Sequence, residues 1–265
     1  MTATPSTGGA GVPPAHIDPE LEVDFAGSQR RWTVLLRFIL AIPHMVVLAL
    51  VGIAAFVVLV IGWFAALFTG RLPDWAADFL TGYIAWQARF TGYLQLLTDR
   101  YPPFAFVSAD YPIRVVFPPR TRLNRAAVLF RIILVLPVMI LSSIVTYGWY
   151  VLGLIFWLIV LIAGRMPASL FLATAATVRY QVRYQVYLSM LTSAYPKKLF
   201  GDAPAGSEPA RETPVTRPLV LTKGARVLMI VFIVFGVLAY LGQGATSAEE
   251  QGTGRSSTTA SAQPN

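Results

Sequence analysis

The stretch from Arg30 to Phe68 constrains this chain more than any other feature. It is almost unbroken apolar sequence, and after Arg31 its only ionisable side chains are Arg37 and His44. That is too long for one ordinary span of about 20 residues and too short for two spans with a turn. Pro43 divides it. A proline ring inside a helix removes an amide donor and crowds the preceding turn. The expected arrangement is therefore a lead-in helix over residues 29–42, lying at or entering the interface, and a full span over residues 44–68. Gly70-Arg71-Leu72-Pro73 ends that span as a turn.

Composition sets the class. Apolar residues make up 55% of the chain and charged residues 13%, against about 25% charged in a soluble domain. Too few charges remain to cover a water-facing surface. This argues against an ordinary soluble enzyme, a disordered protein and a nucleic-acid-binding domain. The net charge of +8 does not reverse that reading, because the basic residues flank apolar runs instead of clustering on a polar module. Arg30-Arg31, Arg120, Arg122, Arg125, Lys197-Lys198 and Lys223 are such flanks. The expected partner is a lipid bilayer, with a second copy or another membrane protein as further candidates and no nucleic acid. With no Cys, disulfides, thiolate metal sites and thiol catalysis are excluded.

The apolar pattern then repeats. Residues 35–102 laid on residues 129–196 at a constant offset of 94 give about 22 identities without a gap. They include Arg37/Arg131, Pro43/Pro137, Trp63/Trp157, Gly70-Arg71/Gly164-Arg165, Gln87/Gln181, Arg89/Arg183 and Tyr101-Pro102/Tyr195-Pro196. Chance overlap of Leu and Val would not align Arg, Pro, Gln and Trp together, so the chain is a tandem duplication. The fold class that follows is an all-α polytopic membrane protein. Each repeat comprises a lead-in helix, a transmembrane helix and a mixed amphipathic helix (residues 74–98 and 168–192). A lone C-terminal span and a minor β-hairpin outside the bilayer complete it. Leu21 to Phe25 reads as a short strand, and residues 104–108 and 113–117 as the hairpin.

The organisation expected is a disordered tail (1–20), membrane repeat one (21–110), membrane repeat two (111–200), a polar Pro-rich linker (201–218), a C-terminal transmembrane helix (219–241) and a second disordered tail (242–265). The first twenty residues lack the pattern of a cleaved leader, so the first apolar run is expected to stay as an anchor. Charge counting favours two spans per repeat, because that places Arg30, Arg31, Arg100, Arg114 and the Arg120–Arg125 cluster on one side. Five spans result, with a cytoplasmic N-terminus and an extracytoplasmic C-terminus. The competing arrangement lays the mixed helices in the interface and folds each apolar run as a re-entrant hairpin. It avoids burying Arg89, Arg179 and Arg183 mid-bilayer.

Ala41-Ile42-Pro43-His44, Trp63 to Pro73 and Leu97 to Phe104 resemble a bacterial membrane family known only as a domain of unknown function, number 4389, and Tyr111 to Pro118 resembles its lead-in strand. The likeness covers residues 21–200 as two tandem copies. The second copy departs where Val138 replaces His44 and Ser193-Ala194 replaces Asp99-Arg100. The resemblance implies the repeat architecture and no activity.

Gln87, Arg89, Gln181, Arg183 and Arg179 are the candidate intramembrane polar residues, since such groups often line substrate or ion paths. The alternative for the arginines is pairing with a headgroup phosphate or a carbonyl freed by Pro43 or Pro137. His44 is expected to touch headgroups or a backbone carbonyl. Asp74 and Asp78 suit the first turn of a helix. No phosphate loop, nucleophile elbow or metal-ligand spacing is present, so neither catalysis nor a cofactor is expected. The reading is a non-catalytic membrane scaffold or accessory protein. The alternative is a small transporter or channel component with Gln87/Arg89 and Gln181/Arg183 on a polar path.

Overall fold

A computed structural model describes residues 18–25, 27–202, 216 and 218–260, with side chains as far as Gly242. Two short strands and five helices follow in the order β1 (Glu20–Val23), α1 (Arg31–Thr69), α2 (Asp74–Leu94), β2 (Ile113–Val116), α3 (Arg125–Ala163), α4 (Ala168–Leu188) and α5 (Lys223–Ala260). The bounds of α3 and α4 equal those of α1 and α2 plus 94, so the duplication is kept residue for residue. Most of the first expected tail and most of the linker lie outside the described residues. Where the tail from residue 242 was expected to be irregular, α5 instead continues to Ala260. Its Ala-Glu-Glu-Gln stretch (residues 248–251) consists of good helix formers.

Each apolar run is a single 39-residue helix, which corrects the expected break at Pro43 and Pro137. Each proline removes the donor of one carbonyl, that of Ile39 or Ile133, and leaves the rest of the ladder in place. In the turn before Pro43 the Leu40 carbonyl accepts a hydrogen bond from the Tyr101 hydroxyl at 3.1 Å. Gly70 and Gly164 end the two helices in the left-handed region, at φ 72° and 66°, where a residue without Cβ is favoured. The mixed helices end sooner than expected. Leu96 and Met190 turn left-handed, and the Leu97 and Leu191 amides reach back to the Gly92 and Val186 carbonyls.

The two repeats face each other across an approximate two-fold axis. The Trp63 indole donates to the Val128 carbonyl and the Trp157 indole to the Val34 carbonyl, at 3.0 and 2.7 Å. The Leu123 amide donates to Gly70 and the Gln29 amide to Gly164, at 3.0 and 2.8 Å. Each pair is its mate shifted by 94, so α1 and α3 lie antiparallel with their ends matched.

Three layers stack along that axis. In the first, α1 and α3 bury only a seam. On α1 it is Val34, Arg37, Ala41, His44, Leu48, Ala55, Gly62 and Ala66, the three-and-four spacing of one helix face. The rest of α1 from Trp32 to Phe68 is open and apolar, with Ile39 and Phe56 about two-thirds exposed. The second layer is α2 and α4, both largely buried. The third is a polar cover built from β1, β2 and the segments after α2 and α4. Its antiparallel sheet pairs Leu21 with Val115 and Glu22 with Arg114. A small sheet was expected, but as a local hairpin. Its strands instead come from the lead-ins of the two repeats and meet on the axis, and residues 104–108 pack on α2 without strand structure. Arg114 clamps the sheet through Asp24 and Glu22, at 2.9 and 3.4 Å. The Asp24 hydrogen bond raises the guanidinium above its ordinary pKa. Helix α5 packs on α3 and α4. By length and composition α1, α3 and Lys223–Gly242 of α5 could each cross a membrane.

Candidate functional site: the buried arginines

A helix leaves its last four carbonyls without partners, and buried carbonyls need donors. Both repeats solve this with an arginine. Arg37, wholly buried on the α1 seam, donates to the Tyr93 carbonyl at the end of α2, to the Thr98 carbonyl at 3.1 Å and to Gln29 Oε1 at 3.2 Å. Its guanidinium stands 4.5 Å over the Tyr93 ring, and Asp99 lies 3.8 Å away. Arg131 does the same with the Tyr187 and Thr192 carbonyls, at 2.8 and 3.1 Å, over the Tyr187 ring. Sequence reasoning noticed this pair only as an identity between repeats. The signal that could have found it was its position, one charge in each apolar run at the same place.

The arginines singled out from the sequence sit in the second layer and point to the cover. Arg89 donates to the Ala105 and Phe106 carbonyls. Arg183 donates to the Pro19 and Lys197 carbonyls, both at 3.0 Å. Arg179 pairs with Asp202 at 2.6 Å. The backbone-carbonyl alternative therefore applies to Arg89 and Arg183, with the difference that the carbonyls belong to cover segments and not to the turns at Pro43 and Pro137. Gln87 and Gln181 are half-buried, and Gln181 Oε1 has no hydrogen-bond partner. Arg89 borders an open groove of about 600 Å³ with Phe79, Gly82, Phe106, Arg114 and Val115, whereas neither Gln181 nor Arg183 lines it.

Asp202 anchors the segment after α4 to the lead-in of α5, since its carboxylate also accepts the Leu219 amide at 3.2 Å. Burial pushes this carboxyl up, but the charge and hydrogen bond of Arg179, with Arg183 and the Leu219 amide, outweigh it and hold the pKa below the ordinary value. A carboxylate with a depressed folded pKa contributes stability at neutral pH and loses it as pH falls through that value. Thermal midpoints are expected to drop on acidification below about pH 4. The Asp202→Asn variant should begin lower at neutral pH and lose this part of the pH dependence.

His44 heads a set that exists in a single copy. Its ring stacks on Phe90 and meets Phe104 at 4.1 Å. The Trp86 indole, a donor only, reaches Nε2 at 2.6 Å. Nε2 must then accept, so the proton sits on Nδ1, 3.2 Å from the Tyr101 hydroxyl, which itself donates to Leu40. His44 therefore bonds to two side chains and not, as expected, to a backbone carbonyl. Asp74 lies in the first turn of α2 and Asp78 one turn further along the same face, and both pair with Arg120 from the α3 lead-in. The Asp74 hydrogen bond raises the Arg120 pKa. Among the described residues no group of three or more His, Cys, Asp or Glu could hold a metal ion.

The family model for a domain of unknown function, DUF4389, matches residues 31–105 and 125–199. The two matches are again 94 residues apart and take in α1 with α2 and α3 with α4. No curated protein matches the chain, and no solved structure does.

Proposed function

The chain belongs to the DUF4389 family, a domain of unknown function that it carries in two tandem copies, and from that premise we propose that it is a non-catalytic, membrane-embedded scaffold. One observation carries the reading. The charged groups of α2 and α4 that would have to line a path end on carbonyls of the cover or on Asp202. Groups whose guanidinium nitrogens hold two layers together are structural elements, although Arg89 Nε and Arg179 Nη2 keep no partner of their own. The open apolar surface of α1 and α3 supports a lipid environment, because soluble monomers rarely expose large contiguous apolar patches. The polar cover is then the surface offered to a second copy or another membrane protein.

Purified protein in liposomes is expected to leave solute and ion fluxes unchanged. Arg89→Gln and Arg183→Gln should each cost about 1–3 kcal/mol of stability, the cost of unpaired buried carbonyls, without creating or abolishing a flux. A flux that the native chain supports and either variant abolishes would replace the scaffold with a transporter. Crosslinking in native membranes is expected to recover the chain with a reproducible partner or with itself.

A further inference from the structure

The direction in which polarity changes is fixed by the two-fold axis. At one end of the axis lies the sheet with Arg114, Glu22 and Asp24. At the other lie the open faces of α1 and α3, apolar between their terminal arginines. A bilayer imposes its own polar-to-apolar gradient along its normal. The two gradients coincide only if the axis is the membrane normal, and α1 and α3 then lie in the membrane plane.

Three further observations agree. First, 39 residues at about 1.5 Å each make α1 roughly 58 Å long, nearly twice the ~30 Å hydrocarbon thickness. Second, the non-helical chain between α2 and α3 runs the length of α2. Tyr101 touches Leu40, Phe106 packs under Gly82, Arg120 meets Asp74 and Asp78, and Leu123 binds Gly70. If α1 and α2 stood upright, this stretch with Asp110 and Arg114 would cross the hydrocarbon beside them. Irregular backbone does not occur against lipid. Third, Arg30, Arg31 and Arg165 are exposed at one end of the α1/α3 pair, and Arg71, Arg122 and Arg125 at the other. Upright helices would divide these clusters between the two sides, against the cytoplasmic bias of positive charge. Flat helices put all six at one headgroup level.

We propose that α1 and α3 lie side by side within the cytoplasmic leaflet, their terminal arginines at the anionic headgroups and the polar cover in the cytoplasm, so that neither helix crosses the bilayer. This rests on the membrane reading above and is tested separately from it. The chain has no Cys, so single-cysteine variants need no background changes. Arg71→Cys and Arg165→Cys mark opposite ends of the pair, and Val107→Cys marks the cover, where that residue is 84% exposed. In intact cells a membrane-impermeant maleimide is expected to label none of the three, and after permeabilisation all of them. Ile53→Cys, in the middle of the open α1 face, should resist the reagent in both. Labelling of Arg71→Cys and Arg165→Cys from opposite sides, or of any of the three from outside, overturns the flat arrangement while leaving the chain in the membrane. Recovery of the native chain in the supernatant of a detergent-free lysate would overturn the membrane reading itself, and this proposal with it.

Discussion

Replacing Arg37 with Met is expected to lower stability by about 3–5 kcal/mol, the usual cost of removing one partner from a buried charged network. Two effects oppose each other. Burying a guanidinium is costly, and an apolar residue of similar length relieves that cost, which is why some buried ion pairs can be replaced at no loss. Here the partners cannot be replaced. The Tyr93 and Thr98 carbonyls are backbone, and once orphaned each costs about 1–3 kcal/mol. Gln29 would lose a donor as well. The loss therefore wins. Arg37→Lys should recover only part of it, because a single ammonium cannot fork to two carbonyls and cover a ring together. Arg131→Met should cost less than Arg37→Met, since Leu123 stands where the first repeat has Gln29 and Ser193 where it has Asp99. Thermal midpoints in detergent check the order, at roughly 2–4 °C per kcal/mol for a chain of this size. Equal losses at the two sites would mean that Gln29 and Asp99 contribute nothing to holding Arg37.

The repeat was legible to the residue because duplication preserves the seam. Arg37, Trp63, Gly70 and Tyr101 all contact another part of their own or the opposite repeat, and each has its identical mate. Pro43 misled because its missing amide costs the helix only the bond to the Ile39 carbonyl, a single loss past which the 39-residue helix continues. The sheet misled because its two strands are 93 residues apart and only the axis brings them together. The gaps in the identity were themselves a signal. Between residues 46 and 56 only Val51 matches its mate, and between 74 and 86 nothing does. In repeat two these are the stretches that carry α5, through Ile144, Gly148, Ser169 and Thr177. In repeat one the start of α2 carries the cover instead, through Asp74, Asp78 and Phe79. The copies diverged where their neighbours differ.

The sharpest of those divergences sets the second large effect. Gly148 has Ala54 as its mate, and Ala54 is exposed, so repeat one has room there for a side chain. In repeat two, a Cβ on Gly148 would stand 1.7 Å from the Phe232 carbonyl oxygen, and one on Gly236 would stand 1.9 Å from that of Ile144. The two glycines let α3 and α5 approach backbone to backbone, the kind of contact that drives association where lipid already satisfies apolar side chains. Neither backbone can give way by a rotamer change. Gly148→Val is therefore expected to release α5 as a unit, not merely strain the core by the 1–3 kcal/mol of ordinary overpacking. Released α5 keeps its apolar surface and stays with the membrane fraction, so fractionation alone would miss the change. The Tyr147 and Tyr240 rings, 5.4 Å apart, supply the reporter. Tyr147→Cys with Tyr240→Cys should join through a short bifunctional maleimide in the native background. With Gly148→Val added, the yield should fall about tenfold or more, each tenfold being about 1.4 kcal/mol. Gly52→Ala is the control, because its Cβ would meet the Tyr83 hydroxyl at 3.0 Å and that side chain can shift. Undiminished crosslinking with Gly148→Val would mean that α5 does not depend on this crossing for its place.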